Sequence, residues 1–138
     1  MAEKFLKSPK KNYPIRMKIS IIDSPSNLIK VLTLKTVENF VQKKLNNTDA
    51  TVSIFFISQD KIGILNKKYR QIDKPTDVLS FPIWNDLSKM PKKGKYILGD
   101  IFICLDILQE NSQEKKDIEP DLINAINHSL DHLVGKHH

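Results

Sequence analysis

The hydrophobic and polar positions follow two periods along the first half of the chain. Isoleucines alternate with other residues over residues 17–23, and β-branched and aromatic side chains fill residues 50–57, so both segments are predicted to be strands. Between them, residues 28–45 carry apolar side chains at helical spacing, from Leu28 to Leu45. The pattern therefore predicts a strand, a helix and a second strand that is buried on both faces.

The next part of the chain predicts a short helix and an edge strand. Ser58 is a suitable N-cap for a helix that ends near Tyr69, and Pro75 marks the turn that follows. Residues 78–81 are predicted to be a strand. Pro82 closes it and cannot donate to a ladder, so we expect this strand at the edge of the sheet.

The last part of the chain predicts one more strand and two helices. Residues 96–105 are strongly apolar, and Gly99 and Asp100 within them indicate a bulge or a close approach of another backbone. A helix is predicted from residue 106. Pro120 begins the final helix, which apolar residues anchor to the sheet: Leu122, Ile123, Ile126 and Leu130.

Length and composition place these elements in one domain. The chain has 138 residues, of which 40% are hydrophobic and 28% charged, as is ordinary for a globular protein. We predict an α+β fold in which residues 17–138 form a small mixed β-sheet packed with helices. Residues 1–16 show little apolar periodicity and are predicted to be a flexible basic tail.

Charge and cysteine content narrow the class of function. The net charge is +6, with lysines concentrated near the N-terminus and at residues 89–95, which favours a polyanionic partner; a merely solvated tail is the competing interpretation. The single Cys104 excludes an internal disulfide framework and zinc sites built from several cysteines. Neither a membrane span nor a secretion signal is indicated, so we expect a cytoplasmic protein without membrane contacts.

The four histidines of the chain all lie within its last eleven residues, which indicates a metal site. Residues four apart share one helix face, so His128 and His132 can direct their imidazoles at one point. A continuous helix would place His138 about 15 Å along its axis from His128, whereas zinc ligands lie about 2 Å from the ion. Gly135 suits a helix stop, after which the chain can fold back to bring His137 or His138 to the metal.

Three histidine ligands would leave a fourth position for water, which is typical of catalytic zinc and resembles the open site of metzincins. Asp131 completes an H-x-x-D-H order, so it is a candidate general base, although a solvated or orienting role fits its position as well. Two other interpretations compete with a metal site. The terminal His-His pair could be the remnant of an affinity tag, and the pair four residues apart could lie on a solvated helix face.

Two cations precede the predicted edge strand, along which an extended substrate could lie. Arg70 is a better candidate than Lys74 for binding a phosphate, because its planar guanidinium offers a fork of donors. Asp73 and Asp77 could instead hold these cations in ion pairs or cap the turn.

Four segments, in this order, resemble the YbeY family. They are LNKKYR at residues 65–70, DKPTDVLSFP at 73–82, LGDI at 98–101 and H-x3-H-L-x-G-x-x-H at 128–138. The second segment is close to verbatim, and the resemblance extends over about residues 17–138. It implies a single-domain metalloprotein with a mixed sheet and a histidine-bearing C-terminal helix.

The resemblance also implies an activity and its residues. Family members are regarded as single-strand-specific endoribonucleases that act in small-subunit ribosomal RNA maturation, notably at its 3′ end, and in ribosome quality control. Carried over to this sequence, the resemblance makes His128, His132 and His138 the ligands of one Zn²⁺ or other divalent ion, and Arg70 the catalytic arginine. It favours His138 over His137, and it implies ribosomal RNA or the small ribosomal subunit as the partner.

The chain departs from the family pattern near the proposed ligands. Ser129 and Asp131 replace a glycine and a leucine, and His137 replaces an aspartate. Family members commonly continue past the third histidine with an acidic helix, whereas this sequence stops there. An exposed site, a weakened site and a shortened chain are the alternative interpretations.

A mechanism follows from these residues as a hypothesis. Zinc would lower the pKa of its water toward about 7, and Arg70 would stabilise charge on the phosphorane, with water or the 2′-hydroxyl as the attacking group. A different zinc hydrolase, such as a peptidase or deacylase, is one alternative, although the chain has no HExxH motif. A non-catalytic, ribosome-associated RNA-binding module is the other. The sequence does not indicate an oligomeric state.

Overall fold

The computed structural model describes residues 17–45, 49–83, 96–112 and 117–135, and these ranges contain four strands and four helices. In chain order they are β1 Lys18–Ile22, α1 Asn27–Lys44, β2 Ala50–Phe56, α2 Gln59–Arg70, β3 Val78–Pro82, β4 Tyr96–Ile103, α3 Leu105–Asn111 and α4 Glu119–Leu133. The predicted tail at residues 1–16, the basic cluster at 89–95, and His137 and His138 lie outside the described residues.

The four strands form one mixed sheet in the order β1-β2-β4-β3. β1 pairs with β2, and β2 with β4, in parallel, whereas β3 pairs with β4 in the antiparallel direction. The predicted α+β fold with a small mixed sheet is therefore confirmed. β3 lies at the edge, as expected from Pro82.

The two faces of the sheet carry different helices because side chains alternate along each strand. One face packs against α1 and α4 and forms the main core, which includes Ile54, Ile101 and Ile103 together with Val37 of α1 and Ile126 of α4. The opposite face packs against α2, where Ile62, Leu79 and Cys104 form a smaller buried cluster. Consecutive β3 residues therefore face different helices: Leu79 and Phe81 face α2, and Ser80 faces α4.

Local capping explains where the first two helices begin. Ser26 accepts a hydrogen bond from the Ile29 N–H at 3.2 Å, and Ser58 accepts one from the Lys61 N–H at 3.2 Å. Each such cap typically contributes about 1 kcal/mol. The predicted N-cap at Ser58 is confirmed, and α2 ends at Arg70, where the C-cap residue Gln71 has a left-handed φ of 59°.

Two sequence expectations about burial are corrected by the structure. β2 alternates between buried and half-buried residues, so only the α1 and α4 side is fully covered, because the 12-residue α2 shields only part of the other face. In α1, Leu28 and Val31 belong to the predicted apolar stripe but are 66% and 46% exposed. The described helices include none with the length and apolarity needed to cross a membrane.

Candidate active site

The C-terminal helix α4 carries two of the predicted metal ligands, one turn apart. His128 is exposed and His132 is half-buried. The helix is held in place by its opposite face, where Leu122, Ile126 and Leu130 are fully buried. Apolar burial at helical spacing therefore fixes the rotation of α4 and with it the direction of the two histidines.

Ser80 of β3 orients the ring of His132. The Ser80 hydroxyl lies 2.6 Å from Nδ1 of His132, a short hydrogen-bonding distance. Ser80 is 9% exposed, so the contact is largely shielded from water. Because the hydroxyl engages Nδ1, the imidazole is held in a defined orientation relative to the edge strand.

Arg70, the predicted catalytic arginine, reaches the same strand residue from the other side. It is the last residue of α2, and its Nη2 donates to the backbone oxygen of Ser80 at 3.0 Å. Its guanidinium carbon also lies 5.8 Å from the centre of the Phe81 ring. The Arg70 side chain is nevertheless exposed, and a guanidinium has five N–H donors, so it can bind a phosphate while keeping this contact.

The helix that bears the histidines stops where the sequence predicts. α4 ends at Leu133, the Gly135 N–H donates to the His132 carbonyl at 3.1 Å, and Gly135 has a φ of 89°. Glycine adopts this left-handed conformation without steric penalty. The chain therefore turns three residues before His138.

The third predicted ligand, His138, lies outside the described residues. Within the part of the chain that the structure covers, no group of three or more His, Cys, Asp or Glu side chains is placed to hold a metal ion. The structure thus describes two of the three predicted ligands, on one face of α4, and leaves the complete triad a prediction.

Asp131, the candidate general base, is paired with a lysine of α1. Its Oδ1 lies 3.1 Å from Nζ of Lys44. The pair joins α4 to α1, on the flank of α4 away from Ser80. This geometry favours the interpretation of Asp131 as a helix-to-helix ion pair over a role as a base.

The alternatives for the cations near β3 are also distinguished. Asp73 pairs with Lys67 at 3.6 Å, and both side chains are exposed, so this ion pair contributes little stability. Asp77 accepts a 3.4 Å hydrogen bond from the Thr76 hydroxyl within the turn. Neither contact involves Arg70, whose contact to the Ser80 backbone leaves its charge available to a substrate.

Gly99 allows the elements around the site to approach closely. It has a φ of 147°, and a Cβ placed there would overlap the Phe81 carbonyl oxygen and lie 2.9 Å from Leu133 Cδ2. The register between β2 and β4 shifts at the same point, so that Val52 pairs with Gly99. The predicted irregularity at Gly99 is confirmed, and it sets how near the end of α4 lies to β3 and β4.

Ser80 is the residue of this site that the sequence analysis did not identify. It lies within the DKPTDVLSFP segment, where a hydroxyl on an otherwise apolar strand was the available signal. Its partner His132 is 52 residues away in the sequence. Only the packing of α4 against β3 brings the two together.

Comparisons with known proteins agree on one family. A family model described as "Endoribonuclease YbeY" matches residues 12–138. Proteins named "Endoribonuclease YbeY" from Treponema denticola and Aliarcobacter butzleri are 36% and 35% identical over 121 residues, covering 87% of this chain and 78% and 79% of theirs. A relative of the same name from Thermotoga maritima is 32% identical over 102 residues, which are 73% of this chain and 61% of the relative.

A solved structure shares the fold. The solution structure of a Thermotoga maritima protein superposes with a TM-score of 0.60 and 29% sequence identity, covering 87% of this chain and 74% of that chain. The similarity therefore extends to the sheet and the helices that position the candidate site.

Proposed function

The chain belongs to the YbeY endoribonuclease family, and from this premise we propose that it is a metal-dependent hydrolase that cleaves single-stranded RNA. The observation that carries the proposal is the convergence of two elements on Ser80. α2 places Arg70 on the backbone oxygen of Ser80, and α4 places His132 on its hydroxyl. A guanidinium suited to binding phosphate and an oriented imidazole therefore contact the same edge-strand residue.

The donor set fits a zinc ion or another divalent metal. His128, His132 and His138 would hold it, with the chain turning at Gly135 to bring the third histidine back. A metal-ligating histidine usually donates its second ring N–H to a nearby acceptor. With Nδ1 of His132 donating to the Ser80 hydroxyl, which lies 2.6 Å away, Nε2 would be the ligating nitrogen.

Each protein group has a definable part in RNA cleavage. When bound, the metal supplies a Lewis acid for a phosphoryl oxygen and lowers the pKa of water. Arg70 binds the scissile phosphate and stabilises the negative charge that builds on its oxygens, while its contact to Ser80 keeps the guanidinium in place. The attacking group, water or the neighbouring 2′-hydroxyl, can be identified from the products, because only the latter yields a 2′,3′-cyclic phosphate.

The biological role follows from the family resemblance. We propose that the substrate is small-subunit ribosomal RNA, notably its 3′ end, and that the activity serves ribosome quality control. The support is the near-verbatim DKPTDVLSFP segment, together with the relatives' shared name, "Endoribonuclease YbeY". The positive net charge of +6 fits a polyanionic partner.

The experiment that tests this function compares cleavage of single-stranded RNA by the wild-type protein and by Arg70→Ala, with zinc added and RNA binding measured separately. We expect cleavage to fall about 10²- to 10³-fold, as when one charge-stabilising donor is lost from an active site. The affinity for RNA should fall much less, because we expect other lysines and arginines to contact the RNA as well. Lys61→Ala, an exposed cation at the other end of α2, is the matched control and should cleave normally.

Three results would contradict the proposal. Equal cleavage by wild type and Arg70→Ala would remove Arg70 from the mechanism. Tight RNA binding without cleavage under any divalent metal would favour the RNA-binding module instead, and cleavage of peptides but not RNA would favour another class of hydrolase.

A further inference from the structure

The sheet face beneath α2 contains a pocket of about 290 Å³. Side chains from α2, β3 and β4 line it: Leu65, Tyr69, Phe81, Asp100 and Phe102. Phe81 and Asp100 are partners in the antiparallel β3–β4 ladder, so their side chains leave the sheet on the same face. The pocket therefore lies beside the C-terminal end of α2, on the other face of β3 from His132.

The pocket is lined mainly by aromatic rings, and these rings pack against one another. Phe81 contacts Tyr69 edge-to-face, with centroids 5.3 Å apart, and contacts Phe102 in the same manner at 5.7 Å. Phe102 is in turn stacked on Phe55 at 4.7 Å. Tyr69 is 52% exposed, so part of its ring faces solvent. Exposed ring faces of this kind bind unstacked nucleobases in single-stranded RNA.

Two cationic side chains lie next to the aromatic rings of the pocket. The guanidinium of Arg70 lies 5.8 Å from the Phe81 ring centre, and Nζ of Lys68 lies 5.2 Å from that of Tyr69. A nucleotide combines a flat base with a phosphate, so it can use both the aromatic rings and the neighbouring cations. A protein side chain or a lipid chain in an apolar pocket would need only the rings. Arg70 connects the pocket to the candidate active site, since it contacts both Phe81 and Ser80.

Asp100 adds an acceptor to the pocket. Burial raises the pKa of its carboxyl above the ordinary value, and the carboxylate has no hydrogen-bond or ion-pair partner among the described residues. An ionised carboxylate only accepts hydrogen bonds. Guanine presents N1–H and N2–H₂ side by side, which matches two carboxylate oxygens, whereas the single N–H of uracil lies between two carbonyl oxygens that the carboxylate repels.

We propose that this pocket binds one unstacked base of the RNA substrate, with guanine preferred, adjacent to the phosphate that Arg70 contacts. The inference rests on the proposed function for the identity of the substrate as RNA. The pocket volume of about 290 Å³ lies just below the usual range of about 300–1,000 Å³ for ligand sites, which suits one base rather than a stacked pair. Tyr69 and Phe81 provide the stacking surface, and Asp100 reads the base edge.

The test measures binding rather than cleavage. Fluorescence anisotropy in the presence of a chelator gives the Kd of nine-residue oligouridylates that carry one central guanine, inosine or uracil. Inosine keeps N1–H but lacks the N2 amino group, so it can donate only one of the two hydrogen bonds that guanine would donate to Asp100. The proteins are wild type, Asp100→Asn and Tyr69→Ala, with Ile64→Ala as the matched control, because Ile64 is an exposed apolar residue of α2 outside the pocket.

We expect the wild type to bind the guanine oligonucleotide about tenfold more tightly than the uracil one, with inosine between them. Asp100→Asn should remove this preference. Tyr69→Ala should weaken binding of all three oligonucleotides by at least about fivefold, as loss of a stacking ring does. Ile64→Ala should bind like wild type.

Equal affinity of the wild type for all three oligonucleotides would overturn the inference, as would a guanine preference that persists in Asp100→Asn. RNA that is bound and cleaved without base preference would overturn it while leaving the proposed function intact, whereas absence of any RNA binding would overturn both. Where a variant fails to fold, chemical shifts of the wild-type Leu65 methyl groups serve instead. Guanosine monophosphate should shift them more than uridine monophosphate does, and equal shifts would contradict the preference.

Discussion

Ser80 shows how one residue can serve two partners. Its backbone oxygen accepts from Arg70 at 3.0 Å, and its hydroxyl lies 2.6 Å from Nδ1 of His132. Strand alternation makes this possible, because the side chain points to α4 while the backbone oxygen is accessible from the strand edge. The relative position of Arg70 and His132 therefore depends on a single strand residue.

Substitution of Ser80 separates these two contacts. Ser80→Ala removes the hydroxyl from His132 but retains the backbone oxygen for Arg70. We expect zinc affinity to fall about 10- to 100-fold, as when an outer-shell partner of a ligating histidine is lost. Competition with a chromogenic chelator measures this affinity independently of RNA cleavage. Ser80→Thr keeps a hydroxyl and should retain most of the affinity; unchanged affinity in Ser80→Ala would show that the contact has no part in metal binding.

The burial of Asp100 predicts a pH dependence of stability. Its pKa is raised in the folded state, so the folded protein binds this proton more tightly than the unfolded chain does. The group therefore favours folding below its ordinary pKa of 3.8, and this contribution is lost as the pH rises through the raised value.

Asp100→Asn should consequently be more stable than wild type at neutral pH, because no charge is then buried in the pocket. The difference should shrink as the pH is lowered toward 3.8. Urea unfolding midpoints across this range measure it, with Glu38→Gln on the exposed face of α1 as the control. A constant difference at all pH values would mean that the carboxyl charge is not responsible.

At the scale of elements, Gly99 determines how closely β4, β3 and the end of α4 can pack. Gly99→Ala would place a methyl group against the Phe81 carbonyl oxygen in a left-handed backbone conformation. We expect a loss of about 1–3 kcal/mol in the free energy of unfolding. Gly63→Ala is the matched control. Gly63 lies within α2 with its nearest neighbour at 3.6 Å, so alanine there should stabilise by about 0.5–1 kcal/mol. Equal denaturant midpoints for the two variants would refute this account.

Element boundaries could be predicted where their signals are local. Ser58 caps α2 and Gly135 lies just past α4, and both were identifiable because capping involves residues only a few positions apart. The strand order β1-β2-β4-β3 could not be predicted in this way, because it depends on pairing between distant segments. The exposure of Leu28 likewise depends on which part of α1 the rest of the protein covers.

At the scale of the whole molecule, the sequence offered candidate residues for the site but not their arrangement. Arg70, His128, His132 and His138 were proposed from side-chain chemistry and from the family resemblance, and their roles stay predictions. Neither the role of Ser80 nor the aromatic pocket was predicted, since the members of each come from elements far apart in the sequence. Their contacts arise only when α2 and α4 pack on opposite faces of the sheet.

Metal binding should stabilise the whole domain by linking the end of the chain to α4. Zinc at a free concentration of about 100 times its Kd would add about 2.7 kcal/mol to the free energy of unfolding. Thermal unfolding with zinc and with a chelator measures this gain. We expect His138→Ala to abolish it and His137→Ala to preserve it. The reverse result would assign the third ligand to His137, and a gain that survives in His132→Ala would place zinc elsewhere.

The distribution of positive charge should appear in the salt dependence of RNA binding. Each phosphate contact with a single strand contributes about −0.7 to the slope of log affinity against log salt concentration. Lys68, next to the aromatic pocket, should account for one such contact, so Lys68→Ala should make the slope shallower by about 0.7. Lys35→Ala, on the exposed face of α1, should leave the slope unchanged. Identical slopes for both variants would exclude the end of α2 from the RNA path.

The contact between Arg70 and the Ser80 oxygen also affects self-association. An uncovered edge strand can recruit a strand from a second molecule and so begin aggregation. The guanidinium occupies a backbone acceptor that an incoming strand would need, and it places a positive charge there. We therefore expect Arg70 to oppose such strand pairing in addition to its proposed contact with phosphate, and its replacement by alanine should increase the fraction of dimers and larger species in light scattering.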